Sequence, residues 1–429
     1  MTSATSTSDR SARRRLRGEA LGGVKAFRDG THRVCSPEET IERYRPAMEH
    51  FGITRLADVT GLDRLPISTI IAVRPNARTL ASGSGKGTSK SAATASALME
   101  ALEIAHAEQA RPDVVFDTHR ALSDRAEIID VEDLVLAADS LFSVNRPERW
   151  VAGWDIVAGC EVYVPQSAVD FSIGRDGMSG SSFNADSNGL ASGNTLGEAV
   201  LAGLYEVIER DATTCWRYAS TGTGYAPPRV DLSSITPPSV RELIQALERC
   251  RFELHLFDLT LDTAVPTYGA LIVPNDGAPS SAMNGYGTHL DPAVAMSRAI
   301  TEAVQARAVY VAGTRDDVFD HRRELIKVPP RPVHVAPVDL VDAGERVDRS
   351  TSDLGRDLEI VLDNLREVGL DRVVVVDLRE PTYQVPVVRV IVPGLEGAFS
   401  EHRPPGRRGW RFTQLGRVAS SLANAPIGR

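Results

Sequence analysis

Three stretches of the chain are apolar and alanine-rich at helical spacing, yet each carries acidic or amide side chains three residues apart: Glu100/Glu103, Glu206/Glu209 and Glu302/Gln305. Residues three and four apart share one face of a helix, where like charges repel. A stretch that keeps them among Ala, Leu and Val calls for water or a cation nearby. In the first, Ser96, Glu100 and Glu103 follow an i, i+4, i+7 stripe among Ala92, Ala93, Ala95, Ala97, Leu98, Ala101 and Leu102. The second runs from Thr195 to Asp211 and brings Glu198 and Glu209 nearly into eclipse, with Arg210 beside them. The third runs from Ala295 to Ala312 and mixes Glu302 and Gln305 with Arg298 and Arg307.

A second pattern is a repeat. Residues 240–274 read as a helix carrying Glu242, Leu243 and Leu247, a strand from Phe252 to Leu259, then Val265-Pro266 and a second apolar run ending at Pro274. Residues 358–393 read likewise: Leu358, Val361, Leu362 and Leu365 share a helix face that stops near Gly369, and Val376-Asp377-Leu378 ends the strand. Asp258 and Asp377 are 119 residues apart, as are Pro274 and Pro393. The expected fold class is α+β: one large domain over residues 19–406, with mixed and antiparallel sheets flanked by helices and internally repeated αβ units, because the acidic helices must converge on one site. Residues 1–18, rich in Ser and Thr and then basic from Arg10 to Arg17, predict a disordered tail; residues 407–429 predict a polar C-terminal one.

Composition narrows the class without naming the chemistry. A chain of 429 residues that is 42% hydrophobic and 24% charged can bury a sizeable core, and its net charge of -9 makes nucleic acid a poor partner. Cys35, Cys160, Cys215 and Cys250 have no Cys-x-x-Cys spacing, which argues against zinc or a disulfide framework and fits a reducing cytoplasm. No apolar run approaches the roughly 20 residues of a membrane span, and the start has no hydrophobic export core. The nine His residues are scattered without metal-ligand spacing.

Two polar, glycine-bearing segments precede acidic helices. Residues 82–89, Ser-Gly-Ser-Gly-Lys-Gly-Thr-Ser, read as a turn that could cradle phosphate, with Lys86 adding charge and Ser89 placed to cap the helix. Gly87 stands where a Walker A loop has Ser or Thr, so this is not that motif. Residues 184–194 are dense in amides and hydroxyls and lead into the second acidic helix; they read equally as an Asx-rich turn that caps it. A lone Glu-x-x-Glu reads as a solvated helix face. Three together, with this many hard oxygen donors, suit Mg²⁺ and a phosphate chain.

These residues carry a resemblance to YcaO-domain proteins. The matching pieces are Ser-Gly-Lys-Gly-Thr-Ser leading to Ser96, Glu100 and Glu103; Asn188-Gly189 through Glu206–Asp211; and Glu302, Gln305 and Arg307 with Arg315-Asp316-Asp317. The resemblance runs from about Lys25 to about Gly406. It implies ATP and Mg²⁺ bound between the acidic helices and used to activate a peptide-bond oxygen. It further implies Mg²⁺ ligation by Glu100, Glu103, Glu206, Glu209 and Glu302, and nucleotide contacts from Ser96, Asn194, Glu198, Arg210, Gln305 and Arg307, with Lys86, Arg33 and Thr40 as further contacts. Arg210, Arg307 and Glu302 would serve the transferred phosphoryl group. The residue types agree, since developing charge on a phosphoryl group calls for metal and arginine more than for a protein nucleophile.

Residues 25–33 and 62–68 resemble the subgroup that works beside a TfuA-type partner and is associated with backbone thioamides. The ending Leu-Ala-Asn-Ala-Pro-Ile-Gly-Arg lacks the proline-rich tail of azoline-forming relatives. The resemblance therefore favours delivery of an external sulfur nucleophile to an activated amide of a precursor peptide or protein, and implies a homodimer. About two dozen residues precede Lys25, too few for a winged-helix leader-binding module, so substrate recognition is expected from a separate partner. An azoline-forming cyclodehydratase and a non-catalytic nucleotide-binding accessory protein are the alternative expectations.

Overall fold

In the computed structural model the described residues are 14–109, 113–137, 140–171, 182–221, 223, 225–275, 282–314, 340–400 and 404–423. Arg315-Asp316-Asp317 lie outside them, as do residues 1–13 and 424–429 of the expected tails. Nine α-helices occur among the described residues: α1 (Pro37–Tyr44), α2 (Ala47–His50), α3 (Lys90–Ala107), α4 (His119–Ser123), α5 (Leu196–Ser220), α6 (Pro238–Arg249), α7 (Pro292–Ala312), α8 (Leu354–Glu367) and α9 (Arg407–Ala423). The strands form four sheets. A hairpin joins β1 (Arg15–Leu16) to β2 (Glu19–Ala20), and an antiparallel triplet runs β3 (Arg55–Asp58), β4 (Ser68–Val73), β5 (Ser82–Gly87).

A six-stranded sheet is ordered β6 (Val115–Thr118), β7 (Pro147–Asp155), β15 (Val374–Asp377), β16 (Val387–Ile391), β9 (Leu190–Ser192), with β8 (Cys160–Pro165) also on β7. A five-stranded sheet is ordered β13 (Met283–Thr288), β12 (Thr267–Pro274), β11 (Phe252–Asp258), β10 (Arg229–Val230), β14 (Leu340–Val341). The architecture is α+β. Among the described residues no helix is long and apolar enough to cross a membrane.

The repeat read from the sequence is a repeat of structure. Helix α6 leads into the antiparallel pair β11/β12, and α8 into the antiparallel pair β15/β16. Leu358, Val361, Leu362 and Leu365 of α8 are all buried, and Gly369 takes the left-handed backbone (φ 79°) that ends the turn after it.

A different repeat positions the acidic helices. Each follows a strand at one end of a sheet: β5 leads into α3, β9 into α5 and β13 into α7. Ser89, Thr195 and Asp291 cap the three helices by accepting the amides of Ala92, Glu198 and Ala293. Segment 82–87 is therefore a strand, not the turn expected from its glycines, and those glycines serve packing. A Cβ on Gly85 would overlap the backbone of Ala93 and Ala97, and one on Gly287 that of Ala295 and Ala299. Only bare backbone lets α3 and α7 lie this close to their strands.

Both tails are more ordered than expected over the residues described. Leu16 is buried, and Arg14 reaches the Glu359 carboxylate (2.7 Å) and the carbonyl of Ile156 (2.7 Å). Residues 407–423 form α9, which packs on α5; Gly409 sits against Tyr218 and Gly416 against Ala219. Arg408 forks onto the buried Asp211 carboxylate (2.9–3.1 Å) and onto Asp262. The exposed side of α9 mixes Trp410, Leu415 and Val418 with Arg411 and Gln414, so no clean apolar period marks the helix in the sequence.

Candidate active site

Helices α3, α5 and α7 converge on a cleft of about 840 Å³. Glu100, Glu103 and Glu302 are each held by a specific donor. Glu100 accepts the amide of Ser84 (3.0 Å) from the end strand β5, and Glu103 accepts the amide (2.8 Å) and hydroxyl (2.7 Å) of Ser192 from β9. Glu302 accepts the amide of Tyr286 (3.3 Å) from β13 with one oxygen and pairs with Lys86 (2.7 Å) through the other. Glu206 lies 3.8 Å from Arg210 one turn on, and Glu209 lines the same cleft, buried.

At the N-terminal ends of α3 and α5, Arg33 pairs with the buried Glu198 (3.2 Å), and Thr40 donates to Asn194 (3.2 Å). Gln305 donates to the hydroxyl of Ser84 (2.9 Å), and Ser96 faces the cleft from the stripe that carries Glu100 and Glu103. Loop 184–189 is fixed as an Asx turn: the Asp186 carboxylate accepts the amide of Asn188 (2.9 Å) and an Arg389 guanidinium N–H (3.0 Å).

Arg307 is the exception and corrects the expectation. Its guanidinium pairs with Asp63 (3.1 Å) and sits 5.0 Å over the Phe252 ring, away from the cleft. Two residues after Gln305, it projects from nearly the opposite side of α7. Arg298, one turn before Glu302 on the correct face, lines the cleft instead. Its i−4 relation to Glu302 was the available signal.

Seven carboxylates, those of Asp29, Glu100, Glu103, Glu198, Glu206, Glu209 and Glu302, share the cleft with four cations, Arg33, Lys86, Arg210 and Arg298. Burial pushes Glu103 up to about 7; Ser192 pulls it back and the Glu100 charge adds to the rise. Burial raises Glu206 to about 8, partly offset by Arg210 and reinforced by Glu103 and Glu209. Glu209 rises to about 7 through burial and the Glu302 charge. Burial also works against ionised Glu302, but Lys86, Arg210 and Arg298 outweigh it and hold that carboxyl below its ordinary value. The Glu206 and Glu302 side chains keep 25% and 31% of their surface open, so cleft water tempers these shifts.

Among the described residues no three His, Cys, Asp or Glu side chains are gathered around one point to hold a metal ion. Here Glu100, Glu103 and Glu302 turn to separate amides, a hydroxyl and a lysine. The donor chemistry nonetheless fits Mg²⁺. All donors are hard oxygens, and three carboxylates carry raised proton affinity that a divalent cation would relieve.

The fold and this cleft define an α+β protein with a polyacidic site between three helices. Residues 84–396 match the model of the family described as YcaO cyclodehydratase, ATP- and Mg²⁺-binding. The chain belongs to the YcaO family. It is 37% identical over 383 residues to a protein of Methanothermobacter thermautotrophicus, covering 87% of this chain and 97% of that one. A protein in the tfuA 3' region of Rhizobium leguminosarum bv. trifolii is 35% identical over 392 residues, covering 87% and 90%. Among solved structures, YcaO from Methanopyrus kandleri bound with AMPPCP and Mg²⁺ superposes with a TM-score of 0.69 at 25% identity, over 89% of this chain and 99% of that one. A heterocyclase in complex with substrate and cofactor shares the fold at a TM-score of 0.75 and 24% identity, over 90% of this chain; the chain spans 55% of that protein's length.

Proposed function

We propose that the chain binds Mg-ATP in the cleft and phosphorylates a backbone amide oxygen of a peptide or protein, for thioamide formation beside a TfuA-type partner. The observation that carries the ATP reading is the convergence of acidic side chains from α3, α5 and α7, with Lys86, Arg210 and Arg298, on one cleft. Glu100, Glu103, Glu206, Glu209 and Glu302 would hold magnesium. Bound magnesium supplies positive charge to the phosphate chain. Ser96, Asn194, Glu198, Arg33 and Thr40 would contact the base and ribose end. Lys86, Gln305 and Arg210 would contact the phosphates, with Arg210 and Glu302 closest to the transferred group. Arg307 has no part in this set.

In the reaction the amide oxygen bonds to the γ-phosphorus as the bridging oxygen leaves with ADP. A sulfide delivered from outside adds to the amide carbon and loses its proton, and phosphate departs with the carbon–oxygen electron pair. The amide oxygen is thus exchanged for sulfur. The relative in the tfuA 3' region supports the TfuA-type partner, which the resemblance ties to the sulfur branch. The cyclodehydratase description of the family favours the second reading, in which a Cys, Ser or Thr of the substrate attacks and an azoline forms. We also read the chain as a cytoplasmic homodimer; a stable monomer in light scattering would remove the dimer.

The test is calorimetric titration with ATP, with Mg²⁺ present or withheld, beside a Glu103→Gln/Glu209→Gln variant. Metal-dependent binding that weakens about tenfold or more in the variant is expected, and unchanged binding would overturn the site. Incubation with a TfuA-type protein, sulfide and its neighbouring precursor then separates the readings by mass: exchange of oxygen for sulfur, loss of water, or no change and no phosphate release, which would leave an accessory role.

A further inference from the structure

Two helices change character along the cleft in the same order. On α3 the side chains larger than alanine that face it pass from Ser96 through Met99, Glu100 and Glu103 to Ile104; on α7 the lining residues pass from Ser297 and Arg298 through Thr301, Glu302 and Gln305 to Ala306, Val309 and Tyr310. Both helices run antiparallel to β5. Gly87 abuts Ala92, Gly85 abuts Ala97 and Gly83 abuts Ala101, while Lys86 meets Glu302, Ser84 meets Gln305 and Ser82 donates to the carbonyl of Thr314 (2.8 Å). The C-terminal halves of α3 and α7 therefore flank the start of β5, where Leu80 also lines the cleft. The opposite end is polar: α1 meets the start of α3 through Glu38 and Ser91, and the Arg33–Glu198 and Thr40–Asn194 pairs lie there.

We propose that the apolar end, formed by Leu80, Ile104, Ala306, Val309 and Tyr310, is the acceptor subsite and takes a nonpolar side chain next to the amide to be activated. The proposal rests on the nucleotide reading of the polar end. With the base at that end and the phosphates among the carboxylates, the amide must approach from the far side. The cleft, at about 840 Å³, lies toward the upper end of the roughly 300–1,000 Å³ that ligand pockets span, and its two ends differ in chemistry. The substrate class is a peptide with an aliphatic or aromatic residue beside the modified bond. Burying that side chain here favours leucine over aspartate or glycine by about tenfold or more.

Two photoprobes test this on the full chain with Mg²⁺: 8-azido-ATP and acetyl-Gly-photoleucine-Gly-amide. Peptide adducts are expected at Leu80, Ile104 or 304–310, and nucleotide adducts at 33–40 or 88–96. Ala306→Trp, which fills the apolar end, should cut the peptide adduct about tenfold or more. Tyr310→Ser, which adds no bulk, should cut it in the same direction and guards against misfolding of the first variant. Peptide adducts elsewhere, or a yield unmoved by both variants, would overturn the proposal, as would 8-azido-ATP labelling Val309 or Tyr310. Loss of nucleotide adducts alone, with peptide adducts intact at 304–310, would sink the nucleotide reading and leave the apolar subsite standing.

Discussion

Arg307 and Glu206 show how differently a side chain can be read at the scale of one residue. Arg307→Met is expected to lower stability by about 3 kcal/mol, because Asp63, 2% exposed, would lose its cation, while Mg-ATP binding stays as it was; thermal melts and titrations on one sample check both. For Glu103, Glu206 and Glu209 the sign runs the other way from most carboxylates. Their folded values, about 7, about 8 and about 7, lie above an unfolded glutamate's. The stability they contribute is full below that unfolded value and is lost as pH rises through about 7 to 8. Without Mg²⁺ the melting temperature should fall across that window. Mg-ATP affinity should rise over it as the protons leave, and a flat profile would count against these carboxylates as ligands. Glu100 and Glu103 are legible from spacing because i+3 fixes a shared face, whereas Arg307, two residues after Gln305, falls on nearly the opposite side of α7 and meets Asp63.

At the scale of elements, the strand-to-helix units explain both what was legible and what was not. The αββ repeat could be read because its strands alternate or cluster apolar residues. Strand β5 could not, since Ser82–Gly87 offers no apolar period and three of its six residues are glycine. The glycines instead record the helix above. Gly85 and Gly287, like Glu100 and Glu302, are 202 residues apart. Gly85 lies against Ala93 and Ala97 as Gly287 lies against Ala295 and Ala299. Gly85→Ala is expected to cost about 1–3 kcal/mol by forcing α3 away from β5. It should also weaken Mg-ATP binding by displacing Ser96, Glu100 and Glu103 together. Normal binding in a destabilised variant would separate the two effects and refute the second.

Across the whole molecule, distant segments complete what local sequence leaves open. Asp211 is buried one residue beyond Arg210, and its partner Arg408 comes from a helix nearly two hundred residues on, a pairing no local pattern announces. Arg408→Met should destabilise the fold by about 3 kcal/mol and release α9, seen as faster proteolysis near residue 407; unchanged cleavage would argue that Gly409 and Gly416 suffice to hold it.

The three donors that occupy the acidic helices belong to three separate sheets: Ser84 in β5, Ser192 in β9 and Tyr286 in β13. A cation drawn to Glu100, Glu103 and Glu302 would compete with these amides for the same oxygens. The three positions, far apart along the chain, would then respond as one gauge: their hydrogen-exchange rates should shift in concert when Mg-ATP is added, and independent shifts would mean that the sheets sense the ligand separately.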